Sequence, residues 1–375
     1  MSAPVVGVLA RRGIHHPFAI QSLVLADAMA GRDVLAKSRT GSGKTLAFAL
    51  PIVERVSRQG QPSALVLVPT RELANQVTEE FRGIAAARRL SVAAVYGGVG
   101  IAKQVKAAGR ADIVVATPGR LLDLLRRRLL RLNRVSICVL DEADRMLDMG
   151  FLPDVRVILS VLPEERQTML FSATLDGEVH RLATEFTRTP VRHEITEARP
   201  VVSQAEHRFV AVGTGDKVDT LARELAGDRG PTLVFVRTKR GADRLARHLV
   251  TRDFGAQALH GDMSQAARER ALRRFVSGTA DVLVATDVAA RGLDLEHISH
   301  VVNFDLPGDE KAYIHRVGRT ARAGRSGVAV TFVTTDQQPE MARMAKLLDL
   351  EREFAGAGMA NRRGPVPRSR PRRRR

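Results

Sequence analysis

The sequence predicts an α/β protein of two tandem domains, each a parallel sheet flanked by helices, with a disordered basic C-terminal tail. Three observations lead there. The chain has 375 residues, more than a single core usually fills. Short apolar runs alternate with helical segments of about ten to twenty residues, the βαβ rhythm of a parallel sheet covered on both faces. That rhythm lapses once, between Thr189 and Gln204, and then resumes. The expected layout is a first domain over 1–197, a linker over 198–204, a second domain over 205–355 and a tail over 356–375.

In the first block, Asp33–Ala36, Ala64–Val68, Asp112–Ala116, Ile137–Leu140 and Thr168–Phe171 read as buried strands. Segments such as Arg71–Arg88 and Pro153–Leu162 read as the helices between them. In the second block the strands are Thr232–Val236, Gln257–Leu259, Asp281–Ala285, His300–Phe304 and Gly327–Val333, and Gln338–Phe354 reads as one last helix. Residues 362–375 hold eight Arg, three Pro and no acid, a composition that cannot bury apolar surface.

Lys plus Arg number 59 against 41 Asp plus Glu, so the formal charge is +18. The tail carries eight of these charges and leaves +10 on the folded part. Such an excess favours a polyanionic partner, nucleic acid or an anionic surface. With no Trp and only two Tyr, base-stacking platforms are scarce, so a nucleic acid would be held by its backbone. The lone cysteine, Cys138, lies in an apolar strand and excludes an internal disulfide framework or a cysteine zinc cluster. No run approaches the roughly 20 apolar residues of a membrane helix, and Met1–Leu9 lacks a basic leader, so a cytoplasmic location is expected.

Ser38-Arg39-Thr40-Gly41-Ser42-Gly43-Lys44-Thr45 follows a strand and opens a helix. This is the context of a P-loop. Glycines let backbone N–H groups wrap phosphates, Lys44 reaches the β/γ oxygens of ATP, and the Thr45 hydroxyl ligates Mg²⁺. A second strand runs into Asp141-Glu142-Ala143-Asp144. Asp141 is placed to bind Mg²⁺ and Glu142 to polarise the attacking water. An acidic helix start would explain one or two of these carboxylates, but not their position at the end of a buried strand.

Other clusters close strands too: Pro69–Leu73, Gly97-Gly98, Thr117–Arg120 and Ser172–Thr174. Carboxyl ends of strands form the ligand-facing edge of an open parallel sheet. Each cluster joins a hydroxyl, a glycine or an arginine to an incipient helix, which suits phosphate contact. The second block has no P-loop. It offers His260–Arg268, with Ser264 as an N-cap, then Thr286–Asp294 and His315–Arg322. If the last is helical, His315, Arg319 and Arg322 share one face and can meet a triphosphate as arginine fingers.

Together these motifs resemble the DEAD-box RNA helicases of superfamily two, in order and spacing, over residues 13–335. The resemblance implies two RecA-like domains and ATP hydrolysis coupled to local opening of an RNA duplex. It implies that Gln21 reads the adenine edge. Ser38, Arg39, Thr40, Gly41, Ser42, Gly43, Lys44 and Thr45 would cradle the phosphates, with Gly292 and Asp294 near the ribose. Arg319 and Arg322 would be arginine fingers, with His315 near the catalytic water. Arg71, Gly98, Thr117 and Arg120, then Arg237, Gln265, Arg268 and Thr286, would hold the RNA backbone. Ser172 and Thr174 would link hydrolysis to unwinding. Partners beyond RNA stay open, and a monomer is expected.

Three departures stand out. The aromatic that the family carries upstream of Gln21 would fall near Pro4, where none stands, so either the start is truncated or the adenine site is weakened. Pro17-Phe18-Ala19-Ile20-Gln21 stands where Pro-Thr-Pro-Ile-Gln is common, and Ala321 replaces a usual Gly. Two other readings compete: an RNA clamp or annealing protein with little unwinding, and a DNA helicase, since 2′-OH contacts are not legible in a sequence.

Overall fold

The computed structural model describes residues 1–38, 42–195, 205–227, 229–290, 298–320 and 326–359. The expected linker at 198–204, the Arg-rich residues 362–375, and Arg39, Thr40, Gly41, Gly292, Asp294 and Arg322 lie outside them. The chain divides into two compact units, with described residues 1–195 in the first and 205–359 in the second.

The first unit begins with α1 (Ala3–Arg11) and α2 (Ala19–Met29). It continues through β1 (Val34–Lys37), α3 (Lys44–Arg55), β2 (Ala64–Leu67), α4 (Arg71–Ala85), β3 (Val92–Val95) and α5 (Ile101–Ala108). Then come β4 (Ile113–Ala116), α6 (Pro118–Arg126), β5 (Ile137–Asp141), α7 (Ala143–Asp148) and α8 (Leu152–Ser160). It closes with β6 (Gln167–Ser172), α9 (Gly177–Phe186) and β7 (Val191–Glu194). The seven strands are all parallel, in the order β3-β4-β2-β5-β6-β1-β7.

Continuous apolar runs form these strands because both faces are covered. Val34 and Ala36 enter one core with Phe48, Phe81 and Phe171, while Leu35 points to the other with Leu65, Leu67 and Leu140. Cys138 lies fully buried in the second core, and desolvation pushes its thiol pKa up to about 12, against the pull of Arg166. Among the described residues no helix is long and apolar enough to cross a membrane.

The second unit repeats the scheme. Its elements are β8 (Ala205–Ala211), α10 (Lys217–Leu225), β9 (Thr232–Phe235), α11 (Lys239–Val250), β10 (Ala256–Leu259) and α12 (Gln265–Val276). They continue as β11 (Val282–Ala285), α13 (Asp287–Ala290), β12 (His300–Asn303), α14 (Glu310–Val317), β13 (Gly327–Val333), α15 (Gln338–Leu347) and α16 (Glu351–Gly356). Its parallel sheet runs β10-β11-β9-β12-β13-β8.

The structure departs from the sequence reading in three places. Strands β3, β7 and β8 form where no strand was expected, at the edges of the two sheets. The single last helix is two, because Asp349 turns the chain at φ 56° and Leu350 packs back into the core. Finally, α14 stops at Val317, so His315 and Arg319 do not share a helical face. Gly318 caps it, and Arg319 and Thr320 make tighter three-residue bonds to Arg316 and Val317. The Thr320 hydroxyl then donates to the carbonyls of Ile298 and Ser299 at 2.7 and 3.0 Å, which pulls the chain out of the helix.

Candidate functional site

In the first unit the motif residues collect at the carboxyl edge of the sheet, because every strand is parallel and each motif ends a strand. Gly43 caps α3 with φ +81°, a left-handed conformation that glycine adopts freely. A Cβ there would lie 2.6 Å from the Phe18 ring and 2.8 Å from Gln21 Nε2. Lys44, the first residue of α3, is only 5% exposed. Its Nζ stands 3.0 Å from Asp141 Oδ1 and 3.5 Å from Glu142 Oε1. Arg145, one turn on, pairs with the other oxygen of Glu142.

Four charges are thus buried together, and they shift one another. Burial alone lowers the Lys44 pKa, but the two facing carboxylates outweigh it and the ammonium is held above its ordinary value. Desolvation raises the Asp141 carboxyl, with Lys44 pulling the other way. Glu142 sits at φ 56°, ψ 52°, an uncommon conformation for a non-glycine residue, at the point where β5 turns into α7. Strain of this kind persists only where neighbours hold it, here the Lys44 and Arg145 pairs.

The donor set suits a hard cation. Thr45 stands in the first turn of α3, and Asp141 Oδ2 and Ser38 Oγ are buried with no hydrogen-bond partner among the described residues. A hydroxyl and one or two carboxylates are what Mg²⁺ takes from a protein when phosphates and water complete its shell. Ser172 joins the two halves of this edge. Its carbonyl accepts the Ser38 N–H at 2.9 Å, and its Oγ accepts the Asp144 N–H at 3.2 Å. Thr174, two residues on, is exposed.

Gln21 is 2% exposed, and both ends of its amide are engaged inside the unit. Oε1 accepts the Phe18 N–H at 3.0 Å and Nε2 donates to the Gly43 carbonyl at 2.8 Å. It therefore ties the start of α2 to the phosphate loop. Phe18 is 59% exposed beside that loop, an aromatic surface that the sequence reading recorded only as a departure.

A second group lies past β2, β3 and β4. Thr70 accepts the Leu73 N–H at 3.2 Å and starts α4, which presents Arg71. The Arg71 guanidinium lies against Gly97 and Gly98; a Cβ on Gly98, where φ is +85°, would fall 2.2 Å from Arg71 Nη1. Arg120 Nη1 donates to Val99 O and Gln104 Oε1, both at 3.1 Å. Thr117 is buried at the N-cap of α6. Arg71, Gly98 and Arg120 thus meet at the 97–100 loop, and Thr117 starts the helix that carries Arg120.

The second unit is arranged alike, without a phosphate loop. Thr238 accepts the Gly241 N–H at 3.0 Å and caps α11, and Ser264 accepts the Ala267 N–H at 3.3 Å, capping α12 as expected. Arg237 is exposed at the end of β9, its N–H donating to Asp305 at 2.9 Å. Gln265 is buried with Oε1 unpartnered among the described residues, and Arg268 Nη1 donates to His260 O at 3.2 Å. Thr286 is buried at the end of β11 and caps α13 through its carbonyl. His315 is half-buried on α14, and Arg319 is buried just past it.

Arg316 was not singled out from the sequence. It makes a two-toothed pair with Asp287 at 2.6 and 2.8 Å, donates to Asn303 and the Asp305 carbonyl, and lies 5.0 Å over the Phe235 ring. It organises the ends of three strands. Its neighbours in the motif masked it, since alternate arginines in one run look equivalent in a sequence.

A glycine-capped helix whose lysine faces paired carboxylates at the end of β5, one strand beyond β6, defines a P-loop nucleoside triphosphatase. The comparisons narrow this. Residues 18–182 match the family described as DEAD/DEAH box helicase, and residues 216–324 match the helicase conserved C-terminal domain. The chain is 44% identical over 338 residues to the DEAD-box ATP-dependent RNA helicase CshA of Bacillus subtilis, covering 89% of this chain and 68% of that protein. CshA of Geobacillus kaustophilus is 44% identical over 338 residues, covering 89% of this chain and 72% of that protein. Among solved structures, S. cerevisiae Dbp5 bound to RNA and ADP BeF3 is similar with TM-score 0.84 and 32% identity, over 93% of this chain and 92% of that one. The chain belongs to the DEAD-box helicase family.

Proposed function

We propose that this protein is an ATP-dependent RNA helicase that opens short RNA duplexes or remodels RNA–protein complexes, holding RNA by its backbone. The observation that carries the reading is the buried Lys44–Asp141–Glu142–Arg145 network at the carboxyl edge of the first sheet. It sets a phosphate-binding ammonium beside the carboxylate that would orient the water. On ATP binding, Lys44 exchanges its carboxylate partners for the β/γ oxygens. Glu142, still paired with Arg145, orients the water for in-line attack. Thr45 and Asp141 would hold Mg²⁺, which supplies charge neutralisation of the phosphates.

Gln21 reads the base and, through Gly43, reports on it to the phosphate loop. Phe18 supplies the apolar surface on which adenine rests. Ser172, bonded to both the loop and the start of α7, passes the state of the nucleotide to Thr174 and the RNA-facing groups. Arg71, Gly98, Thr117 and Arg120, with Arg237, Gln265, Arg268 and Thr286, grip phosphates and ribose rather than bases. Arg319 and Arg322 are assigned to the transferring phosphoryl group and His315 to the water. The resemblance supports these roles. We place the protein in the cytoplasm as a monomer; its fully buried thiol Cys138 suits a reducing compartment.

The test is RNA-stimulated ATPase activity. Lys44→Ala and Glu142→Gln are expected to lower stimulated turnover by roughly 10²–10⁴-fold. Wild-type turnover that ignores RNA at saturating ATP would overturn the reading.

A further inference from the structure

The amino edge of the first sheet, away from all the motifs, carries charge of its own. Because the strands are parallel, the segments entering them line one ledge; seven strands about 4.8 Å apart make it ~29 Å long. The segments are stitched together through backbone and two aspartates. The Asp112 carboxylate accepts N–H groups of Gln59, Gly60 and Ser91 at 2.8–3.0 Å and the Ser91 hydroxyl at 2.7 Å. Ser136 N–H donates to Ser63 O, and Gln167 N–H to Ser136 O, both at 2.9 Å. Asp33 accepts the N–H groups of Thr168 and Arg188.

Both aspartates are thereby buried and turned inward. Over the β3-β4-β2-β5 half of the ledge, the entering segments 86–91, 109–112, 56–63 and 127–136 contain no other acid and no lysine. They do contain arginines. Arg58, Arg89, Arg110, Arg128 and Arg131 are exposed there, with Arg126 at the end of α6 beside them. No ion pair joins any of these six to an acid among the described residues. The exposed acids Glu164 and Glu165 belong to the other half, before β6.

We infer that this ledge is a second RNA-binding surface, which holds duplex or folded RNA flanking the strand engaged at the carboxyl edge. The inference rests on the helicase reading for its choice of polyanion. Arginine without lysine favours phosphate, which the planar guanidinium meets with two parallel bonds. Among the described residues, the segments entering β9 and β10 in the second unit lack the feature. Its Arg229 and Arg252 are each paired, with Asp281 at 2.7 Å and Asp219 at 2.5 Å.

The experiment uses the full chain and the variant R58Q/R89N/R110Q/R128N/R131Q. Asn is chosen at 89 and 128 because these residues have φ 55° and 58°, which Asn tolerates. Two probes are compared: a short single strand, and the same strand extended by a hairpin of about 16 base pairs. The variant is expected to bind the hairpin RNA at least about tenfold more weakly. The slope of log affinity against log salt should become shallower by ~0.9 per lost phosphate contact. Short-strand binding and the ATPase at saturating short strand should not change.

Unchanged hairpin affinity and salt slope would overturn the inference. So would equal losses on both probes, which would assign the arginines to the primary strand. Wild-type binding to phosphatidylglycerol vesicles that the variant loses, with hairpin binding intact, would assign the ledge to a membrane instead. Failure of the helicase reading is read separately, as wild-type ATPase indifferent to the short strand.

Discussion

The two units are built on the same plan yet use charge in opposite ways. In the first, Lys44, Asp141, Glu142 and Arg145 are buried together at the carboxyl edge, and six exposed arginines at the amino edge have no ion pair among the described residues. In the second, buried Arg316 is locked to Asp287, Asn303 and the Asp305 carbonyl, and among the described amino-edge residues Arg229 and Arg252 are each paired with an aspartate. A parallel sheet fixes where loops emerge but not what they carry. Function is therefore written in the loop residues and in whether each charge already has a partner.

The sharpest way to break this contrast is to remove a charge from each network. Glu142→Gln should leave the first unit folded while costing about 3–5 kcal/mol of transition-state stabilisation, read as stimulated turnover. Arg316→Ala should instead unfold the second unit more readily, by about 3–5 kcal/mol in denaturant titration, because Asp287 and Asn303 lose their partner. A folded Arg316→Ala protein of unchanged stability would show that both networks serve ligands.

Asp112→Asn tests the stitching of the ledge and should lower the stability of the first unit by about 2–4 kcal/mol. Its hydrogen bonds hold the carboxyl pKa below the ordinary value, even though burial alone raises it. The contribution is thus fully present above the unfolded pKa of about 3.9 and fades as pH falls through the lower folded value. The gap between wild type and variant should narrow only below about pH 4; a gap constant down to pH 2 would contradict this.

Deleting residues 362–375 should weaken RNA binding and flatten the salt slope by up to ~6, with the ATPase at saturating RNA retained. A lost ATPase would place the tail in the catalytic machinery. The smallest effect belongs to Phe18→Ala, which should raise KM for ATP by roughly fivefold with kcat unchanged, in keeping with about 1 kcal/mol of stacking. An unchanged KM would remove Phe18 from the adenine site.

Much of the first unit was legible because its central strands are buried on both faces and so appear as uninterrupted apolar runs. The edges were not. Val191-Arg192-His193-Glu194 and Ala205-Glu206-His207-Arg208 alternate exposed and covered positions, so β7 and most of β8 carry weak apolar signals. The helix expected through Arg319 failed for a tertiary reason, the bonds from Thr320 to the 298–299 carbonyls. Arg316 was missed because nothing local distinguishes it from Arg319; only Asp287 and Phe235, distant in sequence, do so.

The sequence alone determined the βαβ rhythm, the phosphate loop and the candidate groups for phosphate and RNA, since each is a short motif at a strand end. The tertiary structure decided which charges are buried, which are paired and which face water. Those properties arise from the strand order. It sets Lys44 against Asp141 and Glu142, Gln21 against Gly43, and four separate segments along one edge whose exposed arginines include five with no ion pair among the described residues. Short-range spacing cannot encode such neighbours, because pairing between distant strands creates them.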